Sequence, residues 1–334
     1  MKVCLYFEAE RLIQTSGIGR ALQHQKQALS EVGVETCTNP DEAYDILHIN
    51  TYGFTSSAVI QTARERGCPV VYHAHTTEED FRDSFVFSNR LAPRMRKHLI
   101  AMYSLADHII TPTPYAKRLL EGYGIQVPIT AISNGIRLER FMPNPEKVKA
   151  FRNYFGLDPQ QPVIISVGLY FERKGIFDFF ELARKQPNIT FIWFGHTPAM
   201  SIPKAVRELL AQAPDNLILP GYVRGPIIEG AYLSADLFVF ASHEETEGIV
   251  VLEALAARCP LLVRDIPVYA DWLKADVHCL KAQDVLELNQ KIDDFFAHRT
   301  PNTREAGYAL AQARSLKAVG TQLRAVYEQL RTPA

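Results

Sequence analysis

Two carboxylates at fixed spacing give the clearest chemical signal in the chain. Glu245 and Glu253 bracket the stretch Glu-Thr-Glu-Gly-Ile-Val-Val-Leu-Glu, which follows the apolar run Leu237–Phe240. Gly248 permits a tight turn, so Glu245 projects from a loop while Glu253 lies deeper along a helix predicted to start at Ile249. Carboxylates so placed can hold hydroxyls at opposite ends of an extended ligand. The backbone N–H groups of Gly248, Ile249 and Val250 would then face its phosphates. Acidic residues also gather at helix starts for dipole reasons alone. A glutamate inside the run Val250, Val251, Leu252, Ala254, Leu255 is harder to assign to solvent.

Cations recur at a second strand end. Arg173-Lys174-Gly175 follows Val163–Val167 and precedes the amphipathic stretch Ile176–Lys185. Two cations at a helix start suit a diphosphate, and they equally suit a solvated basic loop. Near the N-terminus, Ser16-Gly17-Ile18-Gly19-Arg20 opens a helix about ten residues beyond the first strand. It departs from the dinucleotide pattern G-x-G-x-x-G, and a plain strand–helix turn explains it nearly as well. His73 and His75 share one face of a strand end, followed by Thr-Thr-Glu-Glu-Asp. No third metal ligand accompanies them, so a polar ligand contact by one histidine, or a satisfied core histidine, is the better reading.

No G-x-S-x-G, Walker or paired Cys–His signature is present. D-x-D, the carboxylate pair that often holds a metal on nucleotide-sugar phosphates, is also missing. Neither a metal nor a cofactor is therefore expected. If a diphosphate binds, protein cations and helix termini must neutralise it.

Such residues need strand ends to carry them, and the chain supplies two series. Val3–Phe7, Ile46–Ile49, Val70–His73, His108–Thr111 and Ile129–Ile132 read as buried parallel strands, alternating with helical segments near 18–32, 55–66, 90–106 and 113–121. Val163–Val167, Thr190–Phe194, Leu217–Leu219, Leu237–Phe240 and Leu261–Val263 form the second series. The expected fold class is α/β, with two Rossmann-like domains facing across a cleft. Ligands of open α/β sheets bind beyond the carboxyl ends of the strands. Expected boundaries are 1–140, a linker at 141–161, a second domain at 162–315, and a helix at 316–334 that either completes it or returns to the first.

The length of 334 residues suits two domains. Thirty-six Lys+Arg against 37 Asp+Glu leave a net charge of −1, which argues against a nucleic-acid partner. No apolar run reaches the roughly 18–20 residues of a membrane span. Val3–Phe7 is cut short by Glu8, so an export signal is not expected. Five scattered cysteines without C-x-x-C suggest a reducing cytoplasm.

Taken together, the Gly-rich opening, His75, Ile132-Ser-Asn-Gly-Ile136, Arg173-Lys174-Gly175 and Glu245-x7-Glu253, in this order, resemble the retaining glycosyltransferase family numbered four, of GT-B architecture. The resemblance implies a UDP-sugar donor and no metal. Arg173 and Lys174 would bind its diphosphate, with Gly17 or Gly19 bordering it. Glu245 would contact the transferred sugar and Glu253 the ribose. Val223 would meet the base through its backbone, and His75 would lie near the sugar and acceptor. Two positions depart from the family pattern: Leu169 replaces a basic residue after Gly168, and Glu247 stands at a commonly aromatic position.

Within the family, His75–Phe81 and Glu244–Glu253 look like the bacterial diglycosyldiacylglycerol synthases, most like the galactosyl-transferring branch. That likeness implies transfer from UDP-galactose, or alternatively UDP-glucose, to a membrane glycolipid at the cytoplasmic face. The helix around 90–102 agrees with it. Arg90, Arg94 and Lys97 share one face, opposite Leu91, Met95, Leu99 and Met102, with Phe81, Phe85 and Phe87 leading in. Basic amphipathic segments with aromatic neighbours suit an anionic membrane surface, and equally a core helix with a solvated face. Alternatives are a nucleotide-sugar epimerase of the same fold, a transferase acting on a soluble or cell-wall polysaccharide, and a two-domain sugar-binding receptor. The imperfect glycine pattern disfavours a nicotinamide dehydrogenase.

Overall fold

The computed structural model describes residues 1–8, 17–53 and 55–331, with 17 and 18 by backbone alone. It divides into two compact units. One comprises Met1–Phe81, Leu91–Arg137 and Ala313–Ala334, the other Arg82–Arg90 and Leu138–Gln312.

The first unit is built on a parallel sheet of order β2-β1-β3-β4-β5-β6. Its strands are β1 (Lys2–Tyr6), β2 (Glu35–Cys37), β3 (Ile46–Ile49), β4 (Val70–His73), β5 (His108–Thr111) and β6 (Ile129–Ala131). Strands β3 and β4 are buried along their whole length, as expected of strands covered on both faces. The helix Leu316–Arg331 completes this unit by lying along the helix Gly17–Glu31 and burying Leu316, Leu323 and Tyr327. A Cβ at position 320 would stand 2.1 Å from the Ala28 carbonyl oxygen, so Gly320 allows this close approach.

The second unit has strands β7 (Val163–Val167), β8 (Thr190–Phe194), β9 (Leu217–Gly221), β10 (Leu237–Phe240), β11 (Leu261–Arg264) and β12 (Leu280–Ala282). Their order is β12-β11-β10-β7-β8-β9, all parallel. Strand order reverses at β7/β10, the crevice where such sheets receive ligands. Phe179 and Phe180 of the helix Ile176–Lys185 join Phe191, Trp193 and Leu237 of the strands in one buried core.

The ten strands expected from apolar runs are present, and among the described residues two more flank the sheets. Strands β2 and β12 are three-residue edges, Glu-Thr-Cys and Leu-Lys-Ala, too short and too polar to register as buried runs. The domain boundaries also need correction. Residues 141–161 are no linker: the helix Pro145–Phe155 packs on the helix Pro226–Ser234, with Phe151 fully buried. Phe141 meets Tyr232 edge-on at 5.5 Å between ring centroids. Residues 82–90 join the second unit through Arg173, whose backbone N–H donates to the Asp83 carbonyl at 3.0 Å.

Candidate active site

In the second unit, the loops after β7 and β10 bring Arg173, Lys174 and Glu245 together. Gly175 makes this possible. Its φ is +76°, and a Cβ there would stand 2.2 Å from the Ala241 carbonyl oxygen, so only glycine lets the two loops touch. Lys174 Nζ donates to Glu245 Oε1 at 2.5 Å, Ser242 Oγ donates to the same oxygen at 2.8 Å, and Arg173 Nη1 lies 4.0 Å away. Burial alone would push the Glu245 carboxyl up. The charges of Lys174 and Arg173 and the two hydrogen bonds outweigh it, holding the group below the usual range. Arg173 is itself anchored, its Nη1 donating to the Glu244 carbonyl at 2.8 Å and its Nε to Ser84 Oγ at 3.1 Å.

Gly248, at φ +86°, caps the helix Ile249–Ala256. The half-buried Ile249 and Val250 occupy its first turn, where backbone N–H groups lack intrahelical partners. Two cations and a helix N-terminus thus share one strand-end region with a buried carboxylate, an arrangement suited to an anion bearing hydroxyls.

Glu253 lies further along this helix, 2% exposed. Tyr232 donates its hydroxyl to Glu253 Oε2 at 2.8 Å, and Arg140 Nη1 lies 3.8 Å from Oε1. Arg140 and Lys147 both bind Glu229, at 3.0 and 2.8 Å. Burial raises the Glu229 carboxyl, but these hydrogen bonds and charges bring it below its ordinary value. Sequence reasoning missed Arg140, Tyr232, Glu229 and Ser84, which lie outside the motifs and have no spacing signature, and Ser242, three residues before Glu245, where a serine carries no pattern of its own. Glu247 is 1% exposed, an acid where the family pattern has an aromatic ring. Val223 is half-buried in the loop after β9.

His75 belongs to the first unit and is 7% exposed just beyond β4. Its ring stacks on His73, with centroids 4.1 Å apart and planes 6° from parallel, and His48 stacks on the other side of His73 at 5.4 Å. Parallel rings do not converge on a metal, and no group of three His, Cys, Asp or Glu among the described residues could hold one. Burial drives His48 and His75 down to about 3 and His73 well below its usual value, so all three are neutral at neutral pH. Gly17 and Gly19 occupy the first turn of the helix Gly17–Glu31, whereas Ser16 lies outside the described residues.

Arg90, Arg94 and Lys97 are all exposed on the helix Ser88–Tyr103. Its buried face is Ala92, Leu99, Met102 and Tyr103; Leu91, expected on that face, is 38% exposed. Phe87 is 71% exposed and Phe85 36%, while Phe81 is buried. No helix among the described residues is long and apolar enough to cross a membrane.

Comparison with known proteins gives a consistent picture. Residues 39–140 match the model of Glycosyltransferase Family 4, and residues 147–311 that of Glycosyl transferases group 1. The chain is 45% identical over 331 residues to a processive diacylglycerol alpha-glucosyltransferase of Acholeplasma laidlawii, covering 99% of this chain and 98% of that protein. It is 27% identical to an alpha-galactosylglucosyldiacylglycerol synthase of Streptococcus pneumoniae, over 78% of this chain and 70% of that one. Among solved structures, Anabaena Alr3699/HepE in complex with UDP and glucose has the same fold, with a TM-score of 0.77 at 16% identity over 98% and 100% of the two chains.

Proposed function

Because the chain belongs to glycosyltransferase family 4, we propose that it transfers a hexose from a UDP-sugar to a diacylglycerol-linked acceptor at a membrane surface, with retention of configuration. The observation that carries this reading is the pairing of half-buried Lys174 with buried Glu245 beside the N-terminus of the helix Ile249–Ala256. Cations grouped with helix-start N–H groups suit a diphosphate, and a neighbouring carboxylate suits the sugar attached to it. The sequence favours galactose. The 45% likeness along the whole chain to an alpha-glucosyltransferase, against 27% to a galactosyl-named relative, moves our proposal to glucose.

In this reading Arg173, Lys174 and the amides of Gly248, Ile249 and Val250 hold the diphosphate. As the glycosidic bond stretches, negative charge grows on the phosphate and positive charge on the sugar. The cations stabilise the first and Glu245 the second. The departing diphosphate takes the proton of the incoming hydroxyl on the same face, so no protein nucleophile is needed. Glu253 holds the ribose, and His75 recognises a sugar hydroxyl. Exposed Arg90, Arg94 and Lys97, with Phe85 and Phe87 nearby in sequence, support a reading in which the chain docks on anionic lipid.

The test is incubation of purified protein with radiolabelled UDP-glucose or UDP-galactose and vesicles carrying diacylglycerol or glucosyldiacylglycerol, with the product linkage read by NMR. An α-glucosyl lipid is expected. Donor consumption without a lipid product, or a β-linked product, would overturn the proposal.

A further inference from the structure

Behind His75 lies a polar column that neither the motifs nor the comparisons assign. Gln25, on the helix Gly17–Glu31, is 2% exposed, and Asn50, just beyond β3, is also 2% exposed. Gln25 Nε2 donates to Asn50 Oδ1 at 2.8 Å and approaches His73 Nδ1 at 2.7 Å. His75 Nε2 stands 2.9 Å from the same Asn50 Oδ1. At the far end of the stack, His48 Nδ1 meets the Tyr327 hydroxyl of the C-terminal helix at 2.5 Å.

With the Asn50 and Gln25 amides oriented as they are, these contacts fix where the protons sit. A carbonyl oxygen only accepts, so His75 must donate to Asn50 through Nε2–H. A neutral imidazole carries one N–H, which leaves His75 Nδ1 as a bare lone pair. An amide nitrogen only donates, so His73 Nδ1 is likewise an acceptor. A second proton on any of these rings would place a cation in a buried stack with a neighbouring ring 4.1 to 5.4 Å away. With Nε2 engaged by Asn50 and Nδ1 unprotonated, His75 has no proton left to offer a phosphate oxygen. It can only accept from a donor such as a sugar hydroxyl.

We propose that Asn50 is a positioning residue that locks His75 as the Nε2–H tautomer and so makes its Nδ1 an acceptor for a substrate hydroxyl. This rests on the proposed role of His75 in sugar recognition, and Asn50 acts only through His75. Gln25 orients the Asn50 amide by donating to the same oxygen, so the tautomer of the His75 ring is set by the packing of the unit's interior.

The full-length chain, labelled with 15N-histidine, tests this by long-range 1H–15N NMR, with His48→Gln, His73→Gln and His75→Gln for assignment. His75 is expected as the Nε2–H tautomer in the wild type and in Asn50→Asp, and as a mixture in Asn50→Ala. In hexose transfer, Asn50→Ala should lower kcat about tenfold, the loss of one hydrogen bond's worth of orientation. Donor KM should change little, and Asn50→Ala/His75→Ala should be no slower than His75→Ala. A wild-type His75 protonated at Nδ1, an unchanged tautomer in Asn50→Ala, or multiplicative losses in the double variant would each overturn the proposal. The NMR result stands apart from the enzyme assignment. If the tautomer shifts as expected while His75→Ala transfers hexose at the wild-type rate, the positioning by Asn50 holds and the role of His75 in sugar recognition falls.

Discussion

Glu245 Oε1 and Lys174 Nζ are 2.5 Å apart, so a lysine assigned to the donor phosphate is paired with the carboxylate assigned to the sugar. A diphosphate arriving at Lys174 competes with Glu245 for its proton donors. Donor binding and the placement of Glu245 are therefore linked.

This linkage sets the sign of one result. In Glu245→Gln the shape is kept and the charge lost, which weakens the hold on Lys174 and leaves more of its charge for the diphosphate. UDP should bind at least as tightly as to the wild type, while kcat for transfer falls about 100-fold through lost stabilisation of the sugar cation. Calorimetry with UDP beside steady-state kinetics checks both. Weakened UDP binding with a wild-type kcat would reverse the assignment.

Glu253 should behave oppositely. Ribose is unchanged by the reaction, so Glu253→Gln removes uniform binding: KM for the donor and Kd for UDP should rise together, with kcat little altered. Tyr232→Phe removes the hydrogen bond that orients Glu253 Oε2 and should weaken UDP binding in the same direction, by less. Titration of UDP into both variants decides this.

Divalent metal should be dispensable. Arg173, Lys174 and the start of the helix Ile249–Ala256 supply positive potential without it. Transfer measured in excess EDTA should equal that in buffer. Activity abolished by EDTA and restored by magnesium or manganese would show that the protein charges are insufficient.

The histidine stack predicts acid sensitivity of the first unit. Folded His48 and His75 are driven to about 3, against 6.5 for the free side chain, so below pH 6.5 the unfolded chain takes up protons that the folded one refuses. This stability is fully present above pH 6.5 and declines as pH falls from 6.5 towards 3, by up to about 1.4 kcal/mol per pH unit for each histidine. Glu245 acts in a lower window, because its depressed carboxyl loses its stabilising effect only as pH drops below 4.5. Hydrogen exchange at pH 7 and pH 5 should show protection lost in strands β3 and β4 before β7 and β10. Equal loss in both units would count against this ordering.

Replacing Arg90, Arg94 and Lys97 with serine should reduce binding to anionic vesicles. Three exposed cations contribute about 1 kcal/mol each near such a surface, so partitioning should fall roughly 100-fold at low salt and little on neutral lipid. Vesicle sedimentation of the triple variant measures it, and unchanged sedimentation would make the exposed basic face a solvated one.

Much of this molecule was legible in the residues alone, because its signals are local. Continuous apolar runs such as Val163–Val167 mark strands buried on both faces, and a glycine before Ile249 marks a turn into a helix. Arg173, Lys174 and Glu245 lie in the loops that follow strand ends, and Glu253 lies in the helix after one of them, so knowing the strands and that helix located them. Partnership is not local. Arg140 and Tyr232 reach Glu253, Asn50 reaches His75, and Gln25 reaches His73 and Asn50, across separations with no periodicity to reveal them. Leu91 fits a helical stripe yet is 38% exposed, because periodicity specifies a face without specifying what covers it. The sequence by itself determined which side chains stand at the carboxyl ends of the strands. Only the tertiary structure decided which of them are charged, which are neutral and which nitrogen carries a proton, since those states depend on burial and on partners brought together by packing.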